Sequence, residues 1–454
     1  MSFLQRINRR AFLQVLATSA ATAGLSPAQL LAAGNSGHWQ NWSGNQQASP
    51  KQLQYPVSPG AIIELLKNSS GPVRPFGGSH SFSPLVPCDN ILLSVEALNG
   101  IQHHDASTHT VRYGAGTRLG SASAMAYTRG ESFINEPDIN LQSLAGAIAT
   151  STHGSGISLP SLSAQVQALT LVTPGGDLLS LDDRDGDLFL AACCHLGALG
   201  IITDITFRHA PAYRLQEHSQ VMDLDDALQF MDRHRNRYRN IECFVFPLGG
   251  KAIVKTMEET DNPEDTPPPQ DSNEVLEMAC ELSMRAGWLT ASIQKLLSVF
   301  VQEEVRRGPA NQVYANRRTV RFNEMEYTVP VDQGLACLQE VCDTIVRNDI
   351  NVFFPIEFRY VAADDRLLSM FHQRTGATIS VHQYVKQDYR PLFRAVEPVL
   401  QHYRGRPHWG KLHTLSARQL RDLYPGFERF LAVRQQLDPG GKMLNAHLKT
   451  ILGV

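Results

Sequence analysis

A histidine set among glycines and serines is the first chemistry this chain offers. The segment Val73-Arg-Pro-Phe-Gly-Gly-Ser-His-Ser-Phe-Ser-Pro84 places His80 just after the pair Gly77 and Gly78. Two glycines let a backbone turn sharply and approach a ligand closely. Ser79, Ser81 and Ser83 add hydroxyls with little bulk. A second stretch, Leu144-Ala-Gly-Ala-Ile-Ala-Thr-Ser-Thr-His-Gly-Ser-Gly156, has the same character. Two such loops in one region imply a large phosphate-bearing cofactor held by backbone N–H groups and hydroxyls. Gly146, Gly154, Ser155 and Gly156 are the candidates in the second loop.

Charged residues supply the next constellation. In Phe353-Phe-Pro-Ile-Glu-Phe-Arg-Tyr360, side chains two apart on a strand share a face. Glu357 and Arg359 therefore project together, and Ile356, Phe358 and Tyr360 point the other way into apolar packing. An ion pair in such a setting is weak evidence of stability and needs another reason. Further on, His408-Trp-Gly-Lys-Leu-His413 gathers two histidines around Lys411. A metal pair is the competing reading of those histidines. Nothing nearby completes a ligand set, so no metal site is expected. His103, His104 and His109 read as a solvated loop.

The elements that must position these groups alternate along the chain. Ala61–Lys67 reads as a short helix, with Pro59 near its start and Gly71 past its end. Val73 leads a strand into the first glycine loop, and Ile91–Val95 and Thr110–Tyr113 are strands. Leu119, Ala122, Ser123 and Ala126 repeat at helical spacing up to Gly130. Val166–Val172 and Leu178–Leu181 flank a Pro-Gly-Gly turn and predict a hairpin. Beyond Pro211 the elements lengthen and carry charged faces. The acidic, proline-rich stretch Glu258–Ser272 reads as an exposed mobile loop. Val275–Val305 has the helical spacing of one or two cap helices, and Asn351–Val361 reads as a strand. There is no GxGxxG opening a helix and no Walker A sequence, so Rossmann and P-loop folds lack their fingerprints.

The order of four motifs is more specific than any one of them. The His80 loop, Val111-Arg-Tyr-Gly-Ala-Gly-Thr117, Gln142–Gly156 and Leu196-Gly-Ala-Leu-Gly-Ile-Ile-Thr203 together resemble the vanillyl-alcohol-oxidase type of FAD-binding domain. Within it, the chain is similar to sugar-1,4-lactone oxidases and alditol oxidase. The resemblance implies an α+β flavoprotein. Its PCMH-type FAD-binding domain has two subdomains, and a substrate cap carries a mixed or antiparallel sheet flanked by helices. It places the FAD domain over residues 35–210, the cap over 211–393 and a segment returning to the flavin over 394–454.

The resemblance also assigns roles. His80 matches the histidine bonded to the flavin 8-methyl carbon, and a neutral imidazole is a suitable nucleophile for that bond. Gly77, Gly78, Ser79, Ser81, Gly154, Ser155 and Gly156 wrap the diphosphate and ribityl chain. Ser143 falls near flavin N5, Ile202 by the adenine, and Asn445 in a terminal segment that touches the flavin. Glu357, Arg359 and Lys411 line the substrate pocket. The implied reaction is hydride transfer from a secondary carbinol of a sugar lactone to flavin N5, with oxygen reoxidising the flavin. Within the class the alternatives are an alditol oxidase, or a dehydrogenase passing electrons to a cytochrome or quinone. Outside it stands a non-catalytic sugar-binding protein.

Composition sets bounds on all of this. The 454 residues carry 41 Lys and Arg against 44 Asp and Glu, a net charge of −3, which points to no nucleic-acid partner. The seven cysteines are odd in number and form no CxxC pair, against a disulfide framework or a zinc site. The segment Asn8-Arg-Arg-Ala-Phe-Leu-Gln14, followed by a short apolar run, resembles a twin-arginine export signal. The expectation is a signal over residues 1–34, export by the twin-arginine machinery and a periplasmic location, with the cofactor loaded before export.

Overall fold

In a computed structural model, residues 37–267, 273–300 and 303–454 are described, and the expected export signal lies outside them. A two-stranded ribbon opens the described chain, β1 (Trp39–Gln40) with β2 (Gln47–Ala48). A small parallel sheet follows, with β5 (Ile91–Ser94) between β3 (Gln52–Gln54) and β4 (Val73–Phe76). The helix Pro59–Asn68 makes the parallel crossover. Ser58 caps it by accepting from the Ala61 N–H, and Pro59 opens it.

A second sheet is antiparallel. It holds β6 (Ile101–Asp105), β7 (Thr110–Gly114), β8 (Glu131–Phe133), β9 (Val166–Val172), β10 (Leu178–Asp182) and β11 (Ile201–Pro211). The hairpin expected around residues 173–177 joins β9 to β10. His104 lies in β6 rather than in a loop, and with His109 it hydrogen-bonds the buried Glu131 at 3.0 Å.

The large sheet is also antiparallel. Its strands are β12 (Arg214–Asp223), β13 (Asn240–Phe246), β14 (Lys251–Glu259), β15 (Glu304–Pro309), β16 (Phe322–Pro330), β17 (Ile356–Val361), β18 (Gly376–Tyr384) and β19 (Arg406–Pro407). Their spatial order is β15-β12-β14-β13-β17-β18-β16-β19. Helices Leu224–His234, Gly334–Arg347 and Arg390–His402 cover one face. There Ile356, Phe358, Tyr360, Met325, Tyr327, Ile379 and Val381 form a buried apolar layer. Fully burying a side chain of this size contributes roughly 1.5–3 kcal/mol. The opposite face of the same strands is polar, as their two-residue alternation requires.

Three expectations change. The boundary expected at residue 393 falls inside the helix Arg390–His402, and β19 beyond it still pairs with β16. The strand expected from Asn351 begins only at Ile356. Pro355 has no N–H for a ladder, and the Asn351 carbonyl accepts from the Gln383 and Gln387 side chains instead. The one or two cap helices expected over Val275–Val305 are two, Asn273–Arg285 and Thr290–Phe300, but Val305 itself belongs to β15. All seven cysteines are buried and free.

Candidate active site

The two glycine loops touch. A Cβ on Gly77 would stand 1.9 Å from Ser143 Oγ, and one on Gly78 would stand 2.8 Å from the Leu141 carbonyl and from Arg118 Nη1. Only glycine permits this approach. Ser143 caps the helix Leu144–Ala149 by accepting from the Gly146 N–H at 3.3 Å. Farther along, Gly154 lies against the Glu136 carbonyl, 2.3 Å from where its Cβ would be. The Ser155 carbonyl accepts from Asn240 Nδ2 at 2.6 Å. Gly156 has φ +125° and donates its N–H to the Tyr360 carbonyl at 2.7 Å. The second loop is thus stitched to β17, the strand that carries Glu357 and Arg359.

His80 lines a cavity of about 230 Å³ together with Trp42, Ile139, Asn140, Leu141 and residues 315–318. Burial, then Lys411 and Arg118, lower its imidazole to about 4. At neutral pH the ring is an uncharged base, and among the described residues neither ring nitrogen has a hydrogen-bond partner. Both are what a nucleophilic attachment point requires.

On the polar face of the large sheet, register assembles a row of charges. Ser380 of β18 stands opposite Glu357 of β17 on one side and Glu326 of β16 on the other. Arg359 pairs with Glu357 and with Glu326, both at 3.3 Å. Glu326 also accepts from His153 Nε2 at 2.8 Å, and His153 Nδ1 donates to the Gly154 carbonyl at 2.9 Å. Lys411 is ion-paired with Glu324, which His382 approaches at 3.5 Å. Lys411 Nζ lies 5.0 Å from the centre of the Phe82 ring. Burial raises Glu357. Burial would also raise Glu326, but His153 and Arg359 outweigh it and hold that carboxylate well below its ordinary value. Arg359 is held above its ordinary value: Glu357, Glu326 and Asp138 overcome the opposing effect of burial.

His153, Glu326 and His408 bring three possible metal-ligand atoms within 4.8 Å of one another. Two observations argue against a cation there. His408 Nδ1 already accepts from the Gly410 N–H at 3.0 Å, and the Arg359 guanidinium sits on the same carboxylate oxygen. The cluster is an ion-pair network.

The protein surroundings of two further expected residues are defined. Asn445 caps the helix Ala446–Leu452, and its Nδ2 donates to the carbonyls of Pro84, Leu85 and Pro87. Its side-chain amide is committed to the loop beyond His80 and to the cap of its own helix. Ile202 is buried in β11 beside Leu171. The sequence reading missed Glu324, Glu326, His153, His382 and Trp42. The spacing of Glu324 and Glu326 is the same two-residue signal that singled out Glu357 and Arg359.

The residues present fit a polar ligand and a flavin. Glu357 Oε1, Arg359 Nε, Ser380 Oγ and Gln142 Oε1 are buried without a hydrogen-bond partner among the described residues. A folded chain rarely leaves such atoms unsatisfied unless something else binds them. These four lie on the polar sheet face and at the start of the second glycine loop.

Residues 50–182 match the FAD-binding domain family. Cholesterol oxidase from Brevibacterium sterolicum shares the fold, with a TM-score of 0.77 over 92% of this chain and 97% of that one at 17% identity. Fold and site define an FAD-linked oxidoreductase of the vanillyl-alcohol-oxidase type, acting on CH–OH groups. Residues 205–451 match the family described as D-arabinono-1,4-lactone oxidase. L-gulono-1,4-lactone dehydrogenase of Mycobacterium tuberculosis (strain ATCC 25618 / H37Rv) is 35% identical over 91% of this chain and 99% of its own length. L-gulonolactone oxidase of Scyliorhinus torazame is 27% identical over 90% of this chain and 97% of its own length. The chain belongs to the D-arabinono-1,4-lactone oxidase family.

Proposed function

We propose that this enzyme oxidises a secondary alcohol carbon of an aldono-1,4-lactone, with FAD tethered through His80 and oxygen as the final acceptor. The reading rests on one observation above the rest: Glu357 and Arg359 are buried side by side, each with a polar atom that no group among the described residues satisfies. Bound FAD supplies the two-electron acceptor for the hydride. Arg359 Nε and its guanidinium hold the substrate oxygens. Glu357 Oε1 takes the hydroxyl proton as the hydride leaves carbon, and burial has already moved this carboxyl toward the basicity such a role favours. Lys411, held by Glu324, adds a fixed positive charge beside Phe82. The glycine loops supply the backbone N–H groups for the diphosphate. Gly77, Gly78 and Gly156 are needed for how closely those loops approach each other and the neighbouring backbone.

A panel of lactones and polyols, scored by anaerobic bleaching of the flavin, tests the substrate class. Bleaching by aldonolactones at low concentration is expected, and indifference to all of them sinks the reading. The tether predicts a fluorescent flavin band in denatured protein that His80→Ala abolishes. A band that survives in the mutant overturns the assignment.

A second acceptor is favoured by one finding, since the relative at 35% identity is named a dehydrogenase. Turnover with oxygen alone against turnover with an artificial dye separates the two. The paired arginines Arg9 and Arg10 support export as a folded flavoprotein. Replacing both with lysine should retain the protein in the cytoplasm. Undiminished export would refute that route.

A further inference from the structure

The segment Trp39–Ala48, which none of the chemistry above uses, is folded over the His80 loop. Trp39 Nε1 donates to Ser79 Oγ at 2.9 Å, and the Trp42 N–H donates to the Ser79 carbonyl at 2.8 Å. Asn41 Nδ2 donates to the Ser81 carbonyl at 2.9 Å. Asn45 and Gln46 donate their side-chain amides to the Phe82 carbonyl at 3.0 and 3.1 Å. Every residue of Ser79–Phe82 except His80 therefore has a polar group held by this arm. His80 is held by its ring, which stacks on the Trp42 indole with centroids 5.7 Å apart and planes inclined by 26°.

The other side of the loop is fixed as well. The Phe82 and Ser83 N–H groups donate to the Gly410 carbonyl, and Ser83 Oγ donates to the Trp409 carbonyl at 2.6 Å. Ser79 itself has φ +57°, a conformation that non-glycine residues adopt rarely and that the surrounding hydrogen bonds must impose. Trp42 is braced in turn by Phe322 of β16, ring centroids 5.1 Å apart, and by Phe82 at 6.2 Å. The indole thus stands between the imidazole and the substrate sheet, and both rings line the cavity.

We infer that Trp42 is a positioning residue for flavin attachment, a wall that fixes the plane of the His80 ring and shields it from water while the tether forms. The inference rests on the proposed His80 tether. Attachment joins a His80 ring nitrogen to the methyl carbon of the isoalloxazine. It breaks one methyl C–H bond and one ring N–H bond. The electron pair and two protons remain on the cofactor, from which the enzyme's own electron acceptor removes them. Two properties of the imidazole govern that step. Its lone pair must be free, and burial is the main reason the ring stays uncharged. Its plane must also hold one orientation, because a reacting atom misplaced by about 1 Å slows a reaction by roughly a hundredfold. Trp42 serves both, through shielding and through stacking.

The test uses purified holoprotein carrying Trp42→Ala, Trp42→Leu or Trp42→Phe. For each, the covalent fraction is the flavin fluorescence of the denatured band relative to total flavin, including what acid precipitation releases. Wild type and Trp42→Phe are expected to be largely covalent. Trp42→Leu fills the space without stacking, and its covalent fraction should fall roughly tenfold while non-covalent FAD stays bound. Trp42→Ala should fall at least as far, and if it does not fold, the Leu and Phe variants carry the test. A Trp42→Leu protein as fully labelled as wild type overturns the role of Trp42 and leaves the tether standing. A wild-type protein with no covalent band overturns the tether, and this inference with it.

Discussion

Glu326 and Arg359 are ion-paired at 3.3 Å although β18 lies between their strands. The short side chain of Ser380, opposite Glu326, leaves the gap across which they meet. His153 holds the far side of the same carboxylate. Arg359 is therefore oriented partly from the second glycine loop, so the loop and Arg359 share one hydrogen-bonded network.

Glu326→Gln should expose that dependence. It leaves the buried Arg359 guanidinium short of one negative charge, a situation that destabilises proteins by about 3–5 kcal/mol. kcat/KM should fall at least about tenfold with a rise in KM, because Arg359 loses its second anchor. Steady-state kinetics beside denaturant melts measure both. A mutant that melts early but keeps normal kcat/KM would show that Glu357 alone orients Arg359.

The contact between the glycine loops predicts a compensating pair. Gly77→Ala drives a methyl group to 1.9 Å from Ser143 Oγ and should abolish FAD retention. Ser143→Gly removes that obstacle together with the Ser143 Cβ, 3.0 Å away. The double variant should recover a substantial part of the bound flavin, read from visible absorbance. Equal loss in the single and double variants would mean that Gly77 is needed for a different reason.

Glu136 gives the fold a pH dependence of definite sign. Burial raises its carboxyl to about 7, against a hydrogen bond from Ser123 Oγ at 2.6 Å. The folded state holds this proton more tightly than the unfolded chain does. Its contribution is full below the unfolded value near 4.5 and is lost as pH rises through about 7. Glu136→Gln should flatten the stability profile between pH 5 and 8.5, and should be the more stable protein at the upper end by up to about 3 kcal/mol. Urea melts at both pH values measure it. Parallel profiles for mutant and wild type would contradict the assignment.

Arg74 is 1% exposed and has no carboxylate partner among the described residues. It donates instead to the carbonyls of Leu85, Leu196, Gly197 and Met443, at 2.6–2.9 Å. One guanidinium thereby ties the His80 loop, the Leu196–Gly200 turn and the C-terminal segment together. Arg74→Lys retains charge but offers one nitrogen where three are used. A melting temperature lower by several degrees is expected, corresponding to about 2–3 kcal/mol for the carbonyls left unpaired. An unchanged melt would show that water replaces the guanidinium.

What the sequence made legible follows from local rules. Glycine pairs and small hydroxyl residues marked both loops, and two-residue spacing put Glu357 and Arg359 on one face. The partners of those residues were not legible. Glu326 meets His153 across 173 positions of chain, and nothing local pairs them. Glu324 and Glu326 carried the same spacing signal, but a carboxylate two residues from another carboxylate suggests no partner until β18 is seen between the strands. The histidines near residue 104 looked solvated because Glu131, their partner, comes from a later strand. The cap made by Asn445 was not legible either, because a helix cap and a ligand contact draw on the same amide group.

The buried cysteines have a consequence for the lifetime of such a catalyst. An enzyme that passes electrons to oxygen generates peroxide next to its own side chains. Peroxide oxidises thiolates, not neutral thiols. Burial raises Cys193, Cys280 and Cys342 to about 12 and shifts Cys194, Cys243 and Cys337 in the same direction. The packing that buries these six thiols also keeps them protonated, and with oxygen as the proposed acceptor it would protect them against the peroxide formed.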